Sequence, residues 1–154
     1  MNPYVISCCS TADLSKEHFE ARNIHYICFH YTINGRQMPD DLGQSMPFDK
    51  FYAAMAAGAE TSTSQINADE FIEYFTPFLA AQDVVHVTLS SGISGVINSA
   101  NLAKQHLEEK FPGRKVYVVD SLGASSGYGL IMDTLADLRD GGMDAPELAA
   151  WLEE

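Results

Sequence analysis

Short apolar runs alternate with segments of helical periodicity along the chain. The apolar or alternating runs predict β-strands at residues 4–6, 24–33, 84–89 and 115–119. The segments in which apolar side chains recur every three or four residues predict helices at residues 14–22, 47–57, 68–79, 94–110 and 125–139. Alternating strands and helices predict an α/β fold, with a mostly parallel sheet and helices on both faces.

Turn and capping residues mark several of the boundaries between these elements. Asn34-Gly35 is the strongest turn signal in the chain. Asn67 followed by Glu70 has the spacing of a capping box, which predicts a helix start. Pro112-Gly113 follows the helix predicted at residues 94–110 and ends it.

The last segment of the chain predicts one further helix. Asp144 can cap it, and Leu148, Trp151 and Leu152 form its apolar stripe. It has no glycine stop, and its last turn is acidic, which is unfavourable for the helix dipole. We therefore expect the protein to continue beyond Glu154.

This expectation sets the predicted domain bounds. Residues 1–142 are expected to form one lobe, which suits a chain of 154 residues. Residues 143–154 are expected to begin a helix that leads to a C-terminal lobe outside this chain.

Composition excludes several classes of partner. The net charge is −12 and the nine basic residues are scattered, so the chain lacks the basic patch of a nucleic-acid-binding protein. No stretch approaches the roughly 20 apolar residues that a membrane helix requires, so no stable membrane insertion is expected. The start of the chain has no signal-peptide pattern, and its three cysteines are a poor disulfide framework. These features predict a cytoplasmic protein.

Four polar stretches fall where predicted strands end or helices begin. All are dense in Ser, Thr and Gly, and they occupy residues 7–13, 62–65, 90–99 and 120–129. Small hydroxyl groups and open backbone N–H groups at a helix N-terminus suit an anion. No Lys or Arg accompanies them, although a polyphosphate site would usually include one. A single weakly charged head group, such as a carboxylate, fits this chemistry better.

The same stretches carry four motifs that resemble, in order, those of the DegV family. They are Ser10-Thr11-Ala12-Asp13-Leu14, Thr63-Ser64-Gln65, Leu89-Ser90-Ser91-Gly92-Ile93-Ser94-Gly95 with Asn98-Ser99-Ala100, and Val118-Val119-Asp120-Ser121 with Ser125 and Gly127. The resemblance spans most of the chain, from about Val5 to about Gly129. It implies a fold like the DegV N-terminal lobe.

Members of this family are similar to the fatty-acid-binding subunits of bacterial fatty acid kinase. The resemblance implies that the acyl tail is buried in the N-terminal lobe and that the carboxylate is held by Thr63, Ser94 and the Gly95 N–H. A second group of residues is expected around these ligand contacts, namely Ser10, Thr11, Ser64, Asp120 and Ser121.

The same resemblance implies a partner protein that carries out the chemistry. The kinase catalytic subunit would phosphorylate the carboxylate, and this chain would present the acid without supplying reaction chemistry. We therefore expect a non-enzymatic binding protein with no cofactor and no metal, whose ligand is a long-chain fatty acid. Each buried CH₂ contributes about 0.8 kcal/mol to the binding free energy, so a long acyl chain can bind tightly with few polar contacts to its carboxylate. The helices predicted at residues 68–79 and 94–110 offer apolar surface for the tunnel.

Two features depart from the family pattern. Cys9 stands where the family usually has Asp, just before Ser10-Thr11. The family's C-terminal lobe, which closes over the head group, is absent from this chain. A further hypothesis is that this lobe self-associates through the surface that the C-terminal lobe would otherwise cover.

Alternatives from other classes remain open in the sequence. One is a small-acid phosphotransferase or hydrolase of α/β type, and another is a lobe without ligand competence. Gly92-Ile93-Ser94-Gly95 does not match the G-x-S-x-G nucleophile elbow. The histidines lack metal-ligand spacing, so His30 and His86 are expected to be ordinary residues at the core edge. The cysteines lack CxxC spacing, which argues against redox or metal chemistry. Asp120 is expected to order its loop rather than to act as a catalytic acid.

Overall fold

The computed structural model describes residues 4–64 and 66–153, and the side chain of Thr63 is not among the described groups. The strands are β1 (Tyr4–Cys9), β2 (His25–Ile27), β3 (His30–Ile33), β4 (Arg36–Pro39), β5 (Thr61–Ser64), β6 (Asp83–Thr88) and β7 (Val116–Asp120). The helices are α1 (Lys16–Ala21), α2 (Phe48–Ala56), α3 (Ala68–Leu79), α4 (Val96–Lys110), α5 (Ser125–Asp140) and α6 (Ala145–Glu153), with a 3₁₀ turn at Ser10–Ala12.

The main sheet is parallel and has the strand order β2-β1-β6-β7. In its central strand β6, every residue from Val84 to Thr88 is buried. Such continuous burial is typical of a parallel strand that is covered on both faces. The predicted α/β class, with a mostly parallel sheet and helices on both faces, is therefore confirmed.

A second, antiparallel sheet has the order β4-β3-β5 and was not predicted. The prediction of one strand over residues 24–33 is wrong, because the chain changes sheets at Cys28-Phe29. The backbone of Phe29 explains the break: its N–H donates to Ser10 Oγ at 3.1 Å, and its carbonyl accepts from the Asp40 N–H at 2.7 Å. These bonds turn the chain away from the main sheet.

Local signals predict turns and caps correctly. Asn34 and Gly35, with φ of 50° and 80°, join β3 to β4 as the turn signal predicts. The capping box at the start of α3 is present in both directions, with Glu70 N–H donating to Asn67 Oδ1 at 2.9 Å. Asp144 caps α6 by accepting from the Glu147 N–H at 3.0 Å.

The predicted apolar stripe of α6 is only partly correct. Leu148 is fully buried and Leu152 packs against the core, but Trp151 is 43% exposed. A helix of nine residues offers a narrow face to the sheet, and Trp151 lies at the margin of that face.

His86 lies at the centre of the core, so the expectation of a core-edge position is wrong for this residue. The parallel register places His86 beside Ser7, whose Oγ is 2.9 Å from His86 Nδ1. Ser7 Oγ is also 2.6 Å from Tyr74 Oη. The rings of Phe71 and Phe75 pack edge-on against the imidazole. Complete burial lowers the pKa of His86 to about 3.

Gly129 allows α5 to approach the turn at Ser10–Ala12. A Cβ on Gly129 would lie 2.7 Å from the Ala12 carbonyl oxygen and 3.0 Å from Leu14 Cδ2. We expect Gly129→Ala to lower the free energy of unfolding by about 1–3 kcal/mol, because overpacking forces the backbone apart. Gly127→Ala, two residues earlier in α5, is the matched control, since a Cβ there meets nothing within 4 Å.

Urea unfolding of both variants checks this prediction. The control is expected to keep or gain stability, by up to roughly 1 kcal/mol, because Ala is a better helix former than Gly. Equal effects of the two substitutions would contradict a close approach at Gly129.

Candidate functional site at the carboxyl ends of the strands

Two of the predicted polar loops are joined at the carboxyl edge of the main sheet. The Ser90 N–H donates to the Gly123 carbonyl at 3.1 Å, and the Ser91 N–H donates to the Asp120 carboxylate at 3.2 Å. These bonds link the loop after β6 to the loop after β7. The carboxyl edge of a parallel sheet is the usual place for a ligand in such folds.

Asp120 orders this loop pair, as the sequence predicts. Its carboxylate also accepts from the Leu122 N–H at 2.9 Å. Although partial burial acts in the opposite direction, the hydrogen bonds from Ser91 and Leu122 lower the pKa of Asp120. The neighbouring Ser121 is buried, and its hydroxyl is bonded at 3.1 Å to both the N–H and the carbonyl of Gly123.

Ser94 and Gly95 lie at the N-terminus of α4. Gly95 is the N-cap residue and is exposed, and the cap has no side-chain hydrogen bond of its own. Ser94 Oγ accepts from the Val96 N–H at 3.2 Å. α4 has 15 residues, so its N-terminus carries a substantial helix dipole. This geometry favours an anion.

The first motif packs against the loop that opens α5. Asp13 accepts from Ser125 Oγ at 2.7 Å, so three of the four predicted stretches lie along one edge of the molecule. Ser10 is fully buried, and its hydroxyl bonds to the Phe29 N–H and to Asp40 Oδ2, both at 3.1 Å. Thr11 Oγ1 is buried and has no hydrogen-bond partner among the described residues.

Cys9 is buried beneath this turn. Its N–H donates to Tyr128 Oη at 2.8 Å, and the tyrosine hydroxyl donates in turn to the Val87 carbonyl. Burial raises the pKa of the Cys9 thiol to about 12, so the sulfur carries no charge at neutral pH. A protonated, inaccessible thiol is inert and adds no charge to the site.

The remaining polar stretch, residues 62–65, includes the end of β5 in the second sheet. Thr63 and Ser64 belong to β5, and their backbones pair with Tyr31 and His30 of β3. The side chain of Thr63 and the whole of Gln65 lie outside the described residues. The contact predicted between the Thr63 hydroxyl and the ligand therefore stays a prediction.

An apolar cavity of about 220 Å³ lies beside this second sheet. The residues that line it come from Phe29 and β3, the end of β4, the segment between β4 and α2, and α2. They are Phe29, His30, Tyr31, Pro39, Asp40, Asp41, Gly43, Met46, Phe48, Phe51 and Tyr52. None of these lining residues comes from the helices at 68–79 and 94–110. The expectation that those helices offer surface for the acyl tunnel stays a prediction. The apolar face of α3 is used in the core, where Phe71 and Phe75 are fully buried.

The cavity residues on α2 carried a signal that the sequence analysis missed. None of the residues of α2 is buried, although Phe48, Phe51, Tyr52 and Met55 recur at helical spacing. Phe48 and Tyr52 are 59% and 65% exposed. An amphipathic helix whose apolar residues stay exposed or line a cavity is typical of a binding surface.

Across residues 4–64 and 66–153, no group of three or more His, Cys, Asp or Glu side chains is arranged to hold a metal ion. None of the helices in this part of the chain has the length and apolar character needed to cross a membrane.

Comparison with known proteins decides the family. A model of the DegV family, described as an uncharacterised protein family, matches residues 6–154. The chain belongs to the DegV family. A DegV domain-containing protein of Lactococcus lactis is 34% identical over 140 residues, which are 90% of this chain and 48% of the relative. The chain thus spans about half the length of the curated DegV relatives that it matches.

Solved DegV structures share the fold. A DegV protein from Thermus thermophilus, described by its fatty acid binding, is 26% identical with a TM-score of 0.84, over 99% of this chain and 52% of that one. The fatty acid kinase B3 protein of Streptococcus pneumoniae, loaded with linoleic acid, is 25% identical with a TM-score of 0.78, over 99% of this chain and 53% of that one. The predicted likeness to one DegV lobe is confirmed.

Proposed function

We propose that this chain binds a long-chain fatty acid. The observation that carries the proposal is the position of Ser94 and Gly95 at the N-terminus of α4, on the edge where three DegV motif loops meet. An acyl carboxylate at this position would be stabilised by the Gly95 N–H and the helix dipole. The apolar cavity beside the second sheet offers space for part of an acyl chain. The fatty-acid-binding DegV structures support the same ligand.

In this proposal the Thr63 hydroxyl, the Ser94 hydroxyl and the Gly95 N–H hold the carboxylate. A surrounding group of residues shapes the loops, namely Ser10, Thr11, Ser64, Asp120 and Ser121. The hydroxyls of Ser10 and Ser121 and the carboxylate of Asp120 hydrogen-bond to the neighbouring loops, which supports a role in shaping the site.

We also infer that the bound acid is presented to a kinase subunit and that this chain performs no chemistry. The similarity to a fatty acid kinase B3 protein supports such a partner. The inert Cys9 thiol and the loop-ordering role of Asp120 leave neither residue free to act as a nucleophile or a general base. Because the curated relatives are about twice as long, we propose that residues 143–154 lead to a second lobe that contacts the head group. The free thiols of Cys8, Cys9 and Cys28 support a reducing, cytoplasmic location.

Mass spectrometry of an organic extract of the purified protein tests fatty acid binding. We expect a long-chain fatty acid at close to one molecule per chain, because a buried acyl chain is released only by denaturation. An extract that contains no fatty acid, from protein that also fails to take up added stearate, would overturn the proposal. The matching test of presentation is acyl phosphate formation when a fatty acid kinase catalytic subunit and ATP are added to the loaded protein.

A further inference from the structure

A surface groove lies beside the apolar cavity and reaches the first motif. The groove has a volume of about 660 Å³, and Asp13 of that motif and Lys16 of α1 are among the residues that line it. Four residues line both the groove and the cavity, namely Asp40, Gly43, Phe48 and Tyr52. These four residues therefore form the wall between the two spaces.

One part of this wall is fixed. Asp40 Oδ2 accepts from Ser10 Oγ at 3.1 Å, and the Asp40 N–H donates to the Phe29 carbonyl at 2.7 Å. Both partners are buried, Ser10 in the first motif and Phe29 at the point where the chain changes sheets. The wall is therefore held to the body of the domain at Asp40.

The other part of the wall belongs to α2, which is weakly anchored. None of the residues of α2 is buried, and its two aromatic residues in the wall, Phe48 and Tyr52, are exposed. Left-handed backbone conformations flank the helix, at Leu42 and Gly43 before it, with φ of 64° and 86°, and at Gly58 after it, with φ of 95°. Short segments at both ends of a moving element are where the backbone rotation of a hinge is absorbed.

Ring packing closes the wall on the α2 side. A Cβ at Gly43 would lie 3.4 Å from the ring of Phe48, so the missing side chain leaves room for this ring. Tyr52 packs edge-on against Phe51, with 5.6 Å between the ring centroids, and Phe51 packs edge-on against Tyr31 of β3 at 5.3 Å. Ring contacts of this kind can open without leaving a buried polar group unpaired, so opening avoids that cost.

We propose that α2 is a gate, and that the acyl chain enters the cavity from the groove when the gate residues Phe48 and Tyr52 move away from the wall. This inference rests on the proposed fatty acid function, and it gives the acyl chain a path from the edge that carries the motif loops into the cavity. The tail enters first, because a carboxylate would lose its hydration in an apolar cavity. A gated site exchanges its ligand slowly in both directions, because entry and exit need the same opening.

Stopped-flow binding of the fluorescent fatty acid cis-parinarate tests the gate. The wild type and each variant are first refolded after their bound lipid has been extracted. Phe48→Ala and Tyr52→Ala are each expected to raise the association and dissociation rate constants together, by about tenfold, because a truncated side chain leaves the wall open. Kd is the ratio of the two rate constants and is expected to change less than about threefold. Loss of a lining contact alone would raise only the dissociation rate constant.

Met55→Ala is the matched control. Met55 is an exposed apolar residue of the same helix, but it lines neither the cavity nor the groove. Its replacement is expected to leave both rate constants within about twofold of the wild-type values, as is usual for a surface substitution. Because no residue of α2 is buried, all three variants are expected to fold as the wild type does.

Each outcome has a defined meaning. Faster association in either gate variant, with an unchanged control, supports the gate. An unchanged association rate constant in both gate variants would overturn the inference, even with faster dissociation, and so would equal acceleration by Met55→Ala. In those cases wild-type binding of parinarate leaves the proposed function intact. Failure of the wild type to bind the fatty acid would overturn the proposed function, and the gate with it.

Discussion

Acidification from pH 7 to pH 4 is expected to remove about 3 kcal/mol from the free energy of unfolding through one residue, His86. The imidazole is fully buried between the main sheet and α3, and its pKa in the folded protein is about 3. In the unfolded chain a histidine has a pKa of about 6.5. A domain of this size is typically stable by about 5–15 kcal/mol, so the effect is large.

The direction of the effect follows from proton binding. Between the two pKa values of His86, the unfolded chain binds a proton that the folded protein excludes. Stability therefore falls as the pH drops through this window, and His86 contributes no pH dependence above about pH 7. Burial in the core causes the shift, since no charged group contributes to it.

Urea unfolding of the wild type and of His86→Leu at pH 4, 5.5 and 7 measures this contribution. The variant is expected to be less stable at pH 7, because Ser7 loses its bond to the imidazole. Its stability should then depend less steeply on pH than that of the wild type. Replacement of the exposed His106 by Gln is the control and should leave the wild-type slope unchanged. Parallel slopes for wild type and His86→Leu would contradict the account of the core.

Local patterns were sufficient to predict most elements of the main sheet and its helices. The capping box of Asn67 and Glu70 and the turn at Asn34-Gly35 involve neighbouring residues, so short-range chemistry decides them. In the buried strand β6, three valines fill the positions between Asp83 and Thr88 apart from His86. In these segments propensity and burial favour the same structure.

Long-range contacts decided what the sequence analysis missed. The chain leaves the main sheet at Phe29 because its backbone bonds to Ser10 and Asp40, which are distant in sequence. An alternating pattern cannot show such a break. His86 is central because the parallel register sets it beside Ser7, and register between non-adjacent strands is not visible in either segment alone.

The candidate site, like the fold, was predicted only in part. The hydroxyl-rich loops were predicted from composition and motif order, and the structure joins three of them along one edge. The cavity beside the second sheet was not predicted, because an apolar helical face that lines a cavity has the same periodicity as one that packs in a core. Only the burial of α3 and the exposure of α2 distinguish the two.

The double variant Thr63→Ala/Ser94→Ala is expected to bind stearate roughly a hundredfold more weakly than the wild type. Each hydroxyl would donate to a carboxylate, and a hydrogen bond to a charged group contributes about 1.5–3 kcal/mol. Loss of two such bonds costs at least about 3 kcal/mol, which is roughly two orders of magnitude in Kd. Binding is not abolished, because burial of the acyl chain still contributes.

Isothermal titration of stearate into the wild type, the double variant and Ser62→Ala, each refolded after its bound lipid has been extracted, tests the central claim that these loops hold a fatty acid by its carboxylate. Ser62 is an exposed hydroxyl on the same strand as Thr63, so its replacement is the matched control. The account predicts tight binding at one molecule per chain for the wild type and the control, and roughly hundredfold weaker binding for a folded double variant. Equal affinity for all three proteins would contradict the assigned head-group site, and the absence of stearate binding by the wild type would contradict the proposed function itself.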